Sequence, residues 1–217
     1  MKLAWDNGVT QLYQGDARTL DALVDESVDV IITDPPWPNG PAEERPWETW
    51  ATAIKGFTQF TDRLVVVLGC NSDPRFLGAI PNTYQFFRVC WLEYVLPRYL
   101  GRLLYTSDIA YAFGRPPKKP SPTTLVPGRI VDTSSNRKQS AHPYPRKLAH
   151  MEWLVKWFSN EGETIPDPFC GSGTTLAAAQ RLGRRSVGVD LSAEYLALAQ
   201  KRLEGVPLPL LSDKRRL

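Results

Sequence analysis

Two short runs in this chain carry residue types whose spacing suits chemistry better than packing. The first is Asp34-Pro35-Pro36-Trp37, which closes the apolar run from Val28 to Ile32. Proline has no N–H and cannot continue a strand, so the run must end in a rigid loop at a sheet edge. The Asp34 side chain and the Pro35 carbonyl then stand as two acceptors with no backbone donor competing for them. A conjugated exocyclic amine is a poor nucleophile, and two acceptors on its hydrogens help it to attack and to carry the positive charge that develops. Trp37 offers a flat surface on which an extruded base can stack. Standing alone, the same tetrad also reads as a strand terminator beside a core Trp.

The second run is Asp167-Pro168-Phe169-Cys170-Gly171-Ser172-Gly173-Thr174-Thr175, with Asp190 following 17 residues after Gly173. Glycines there let the backbone approach a ligand, and the free N–H groups of a following helix attract polar or anionic atoms. A phosphate loop would end in Gly-Lys-Ser or Gly-Lys-Thr, which is absent, and Asp167 at its head would repel phosphate. That carboxylate suits a cationic amino group instead. Asp190 falls where nucleotide-binding α/β folds place an acid on ribose hydroxyls. An ammonium, a carboxylate and a ribose diol together describe S-adenosylmethionine. A turn of this kind also occurs as plain structure.

Both runs need strands and helices behind them. Val28 to Ile32 and Leu64 to Leu68 are short apolar runs that read as buried strands, and residues 84–95 and 108–113 read as two more. Trp50, Ile54 and Phe57 recur at helical spacing, as do Leu148, Met151, Leu154 and Trp157 within a helix predicted over Pro145 to Ser159. A strand at Thr164 to Pro168, a helix at Thr174 to Arg181, a strand at Ser186 to Asp190 and a helix at Ser192 to Leu203 complete the series. This alternation predicts an α/β fold with a doubly wound, mostly parallel sheet.

At 217 residues the chain has the length of one domain, and 42% hydrophobic with 23% charged residues is a globular composition. No apolar run reaches the roughly 20 residues of a membrane span, which points to a cytoplasmic protein. Cys70, Cys90 and Cys170 are too widely spaced for a zinc site or a disulfide framework, so we expect thiols in or near the core and no metal. Net charge is only +3, yet residues 98–147 carry +8 and the remainder −5. Such concentration is the footprint of a polyanion binder, or of a solvated loop. Within it, Lys118, Lys119, Arg137 and Lys138 are the candidate contacts to polyanion phosphates.

In this order, the two runs resemble those of the β group of amino-DNA methyltransferases, in which the Rossmann-like fold is circularly permuted and the tetrad precedes the cofactor loop. Leu12 to Ala17 is similar to the family's opening cofactor segment, Val28 to Trp37 to its catalytic strand, and Asp167 to Thr175 to its cofactor loop. Val187 to Asp190, with Tyr195 and Arg202, is similar to the strand and helix that follow. The resemblance implies catalytic Asp34, Pro35, Pro36 and Trp37, and S-adenosylmethionine held by Asp16, Ala17, Asp34, His142, Asp167, Phe169, Cys170, Gly171, Gly173, Thr174 and Asp190. It also implies N6-adenine methylation of duplex DNA with the target base flipped out, and it allows a homodimer. The chain departs from the family in reading His142-Pro143-Tyr144-Pro145-Arg146-Lys147 where His-Pro-x-x-Lys-Pro is usual. It also leaves only a short basic insert, about 115–139, for target recognition within a single catalytic domain of residues 1–217. Three rivals stand beside this reading: N4-cytosine methylation, in which Ser more often replaces Asp34; RNA adenine methylation; and a silent nucleic-acid-binding module.

Overall fold

Period-two alternation along the central strands decides which helices cover which face of the sheet. The computed structural model describes residues 1–22, 28–36, 46–57, 59–117, 125–133 and 146–209. In β3 (Ile31–Thr33) and β4 (Leu64–Gly69) every residue is buried, as expected for strands covered on both sides. Ile31, Leu64, Val66 and Leu68 pack against Trp50, Ile54 and Phe57 of α1 (Pro46–Phe57) and against Phe76. Ile32, Val65 and Val67 point the other way, onto Met151, Leu154 and Val155 of α2 (Leu148–Phe158). The same face meets Ala178 and Ala179 of α3 (Thr174–Arg181). Adjacent residues thus serve opposite layers.

The strands form two hydrogen-bonded groups. One runs β1 (Lys2–Asp6), β2 (Thr10–Gln14), β9 (Arg185–Asp190), β8 (Thr164–Asp167); the other runs β3, β4, β6 (Leu103–Phe113), β5 (Phe86–Leu100), β7 (Arg129–Asp132). They meet where Val28 bridges Thr164 in parallel and the Asp29 N–H donates to the Thr164 carbonyl at 3.1 Å. Along this series only β1 and β6 run against the rest. The predicted mixed, mostly parallel α/β sheet of a Rossmann-like fold is what forms. α4 (Ala193–Glu204) starts at Ser192, whose side chain accepts the Tyr195 N–H at 3.2 Å, and packs Leu196, Ala199 and Leu203 on Leu12 and Leu176.

Some elements differ from expectation. The two strands predicted at 84–95 and 108–113 are one long hairpin, β5 and β6, paired out to Leu100 with Leu103. β1, β2 and β7 carried too little periodicity to be read as strands. Cys90 and Cys170 are buried as expected, but Cys70 is exposed just past the end of β4.

Candidate active site

Parallel strands bring their carboxyl ends to one edge, and the loops leaving β8, β3 and β9 build the site there. Asp167 ends β8 and is only 2% exposed. Its Oδ1 accepts from the Thr33 hydroxyl at 2.8 Å and from the Phe169 N–H at 3.2 Å. Burial pushes the Asp167 carboxyl up to about 7, against the pull of hydrogen bonds from Thr175, Thr33 and the Phe169 amide. Asp34 nearby adds to the rise. The next residues turn tightly: the Cys170 N–H donates to the Val189 carbonyl at 3.0 Å, and the Gly171 N–H to Asp190 Oδ2 at 3.0 Å. Gly173 begins α3 with φ of +73°, a conformation that favours glycine, and a Cβ on it would stand 2.9 Å from that of Ala199. Gly188 in β9 has no such angle, but a Cβ there would meet Cys170 Sγ at 3.0 Å and a Leu176 methyl closer still. The turn can therefore lie down on β9.

Around this turn lies a cavity of about 320 Å³. Asp16, Ala17, Asp34, Pro36, Asp167, Phe169, Cys170, Gly171, Thr174 and Asp190 all line it, so the tetrad and the glycine turn face one space. Pro35 is buried and Gly173 lies behind the wall. Trp37, His142, Lys118, Lys119, Arg137 and Lys138 fall outside the described residues. Asp190 spends its Oδ1 on the Ser192 N–H at 2.8 Å. Asp16 is gripped by Arg18, whose Nε donates to both of its oxygens at 2.9 and 3.0 Å, and this hydrogen bond holds the Asp16 carboxyl below its ordinary range. Burial raises the Cys170 thiol well above its usual range, with Asp167 and Asp190 adding to it.

Sequence reasoning missed one group on this wall. Arg146 was counted among the basic residues available to a nucleic acid, but its side chain is 11% exposed and points into the site. Its Nε donates to Asp34 Oδ2 at 2.6 Å and its Nη2 to Asp34 Oδ1 at 2.8 Å, while Nη1 donates to Asp108. Burial opposes the guanidinium charge, but Asp34 and Asp108 more than offset it and hold Arg146 above its ordinary range. Counting from His142, Arg146 stands where the family motif has its Lys, which was the available signal. Lys147 likewise pairs with buried Asp132 at 3.2 Å, and Arg129 with Glu93 at 3.7 Å. Arg146 and Lys147 of the basic segment are therefore committed within the fold, while Arg129 stays 72% exposed at its side chain, and Arg129 to Asp132 of the proposed insert are strand β7.

A mostly parallel sheet with a carboxylate-and-glycine cavity at its carboxyl edge is the arrangement in which α/β folds hold nucleoside-containing ligands. The sequence profile of the DNA methylase family matches residues 91–201, and the chain belongs to that N6-adenine/N4-cytosine family of DNA methyltransferases, whose cofactor is S-adenosylmethionine. The Escherichia coli K12 protein named "Putative methylase YubD" is 29% identical over 217 aligned residues, covering 91% of this chain and 92% of its own. The structure of M1.HpyAVI with S-adenosylmethionine superposes with a TM-score of 0.68 at 24% identity, over 89% of this chain and 98% of that one. The cytosine-N4-specific PvuII DNA methyltransferase gives 0.68 at 17% identity, over 99% and 90%. At these identities the two structures speak for the fold. Among the described residues no helix is long and apolar enough to cross a membrane.

Proposed function

We propose that this chain transfers the methyl group of S-adenosylmethionine to N6 of adenine in DNA, with Asp34 as the acceptor for the target amine. The carrying observation is that Asp34 and Pro36 share one cavity with Asp167, the glycine turn and Asp190. The cavity suits the cofactor in its donor set. Asp167 is a buried carboxyl whose ionisation a cationic amino group would favour. Asp190 lines the same cavity at the end of β9, and its carboxylate is an acceptor of the kind that suits ribose hydroxyls. Asp16, Ala17, Phe169 and Cys170 also line the cavity, and His142 is assigned to the methionine end from its motif. The cofactor supplies an electrophilic methyl group when bound.

Asp34 and the Pro35 carbonyl accept the amine hydrogens, align the nitrogen lone pair and receive the charge that grows on nitrogen. Trp37 stacks on the flipped base. Lys118, Lys119, Arg137 and Lys138 hold phosphates of a duplex, and the short insert around residues 115–139 limits sequence reading. Asp at position 34 favours adenine over cytosine. N4-cytosine methylation is the second reading, because the fold of a cytosine-N4 enzyme fits this chain equally well. Plasmid DNA and total RNA incubated with the protein and methyl-labelled cofactor, then digested to nucleosides and identified by mass, test the proposal. N6-methyl-2′-deoxyadenosine in the DNA digest is expected. N4-methylcytosine alone, methylation confined to RNA, or no methylated nucleoside would each overturn it.

A further inference from the structure

Beside the tetrad lies a buried charge cluster that the tetrad alone does not explain. We propose that Arg146 and Asp108 are positioning residues for methyl transfer, Arg146 fixing the direction of the Asp34 oxygens and Asp108 balancing the guanidinium so that Asp34 remains an acceptor for the target amine. This rests on the reading of Asp34 given above. Three elements converge to make the cluster. Asp34 follows β3, Asp108 lies in β6 opposite Gly69 at the end of β4, and Arg146 precedes α2. Asp108 is 6% exposed at its side chain and also accepts the Tyr94 hydroxyl, while Asp34 keeps 24% exposure towards the cavity.

Charge and geometry each argue for a role in the reaction. A carboxylate left alone after a strand can rotate, and one free to rotate is a poor template for two amine hydrogens. The planar guanidinium takes both Asp34 oxygens at once and sets their plane, which a Lys ammonium cannot do. The fork occupies two of the about four lone-pair sites of a carboxylate. A single Arg on a single Asp would, however, cancel the negative charge that the reacting nitrogen needs as it becomes positive. Asp108 supplies the second carboxylate, and the formal charge of the three groups is negative.

The test uses the full chain with plasmid DNA, comparing Arg146→Lys, Asp108→Asn and Asp34→Asn in single-turnover rate, cofactor affinity, DNA affinity and thermal unfolding. Arg146→Lys and Asp108→Asn should each slow transfer at least about tenfold while both affinities stay within about threefold, the pattern of a contact that matters only in the transition state. Asp108→Asn takes a charge away from Arg146 but keeps an oxygen for its Nη1 and for the Tyr94 hydroxyl, so the variant should remain folded at the assay temperature while its rate falls. A structural residue would instead lose rate in step with stability. An inactive Asp34→Asn beside near-normal rates in the other two variants overturns the positioning role alone. A near-normal rate in Asp34→Asn overturns the reading of Asp34 and this inference with it. Should Arg146→Lys unfold, Asp108→Asn decides, and a rate loss there that tracks lost stability also overturns the proposal.

Discussion

The protonation of Asp167 should make both folding and cofactor binding depend on pH, and Asp167→Asn should remove that dependence. Its carboxyl is fully enclosed and held near 7, against about 3.9 in an unfolded chain. A carboxyl raised on folding contributes fully at low pH, where both states are protonated, and loses stability as pH climbs from the unfolded value to the folded one. The slope is about 1.4 kcal/mol per pH unit in that window, and it flattens above pH 7. Between pH 5 and 8 the cofactor-free protein should therefore lose about 2.5 kcal/mol from this group. Asn keeps an oxygen for the Thr33 hydroxyl and cannot ionise, so the variant should lack that component.

Urea unfolding of both proteins at pH 5, 6, 7 and 8, compared as differences, isolates the group from other titrations. Binding should run the opposite way. A cation beside Asp167 requires the ionised form, so cofactor uptake below pH 7 expels a proton and affinity should rise by up to about tenfold per pH unit. Calorimetry below pH 7.5, where the cofactor's own amino group remains charged, should show proton release in the parent and none in Asp167→Asn. Parallel stability curves for the two proteins would refute the burial argument. Equal affinity across the range in the parent would refute the placement of a cationic group at Asp167.

Four further outcomes are expected. Asp34→Ala should abolish transfer yet leave cofactor affinity within a few-fold, and a variant keeping a tenth of the parent kcat would show that Asp34 is not the acceptor. Asp190→Ala should weaken cofactor binding, since a charge-assisted hydrogen bond contributes roughly 1.5–3 kcal/mol, and an unchanged Kd would move the ribose site elsewhere. Gly188→Ala should destabilise the protein by about 1–3 kcal/mol in urea unfolding, because the new methyl overlaps Cys170 and Leu176; unaltered stability would mean that the turn can lift off β9 freely. Replacing Lys118, Lys119, Arg137 and Lys138 together by Ala should flatten the slope of log K for DNA against log salt by about two or more, at unchanged cofactor affinity. A constant slope would send the search for the DNA surface towards residues 38–50.

Much of the site was legible because its signals are local. A strand covered on both faces shows as an unbroken apolar run, and Val30 to Ile32 and Leu64 to Leu68 are such runs. A turn that needs a left-handed residue shows as glycine, and Gly173 is one. The helix predicted at Ser192 to Leu203 is α4, displaced by one residue at each end. Order along the sheet was not local. Only the packed sheet sets β3 beside β8, and so puts Thr33 against Asp167 across 134 residues of chain. Arg146 shows the difference most plainly. In the sequence it adds one charge to a basic segment, and a sum of charges carries no information about burial. In the fold it lies between Asp34, 112 residues away, and Asp108, 38 residues away, because antiparallel β6 is inserted beside β4 and α2 begins over their ends. Residue type and spacing determined which groups could do chemistry, whereas pairing between distant strands decided which of those groups meet, since a charge takes its partner from whatever the sheet brings within hydrogen-bonding distance.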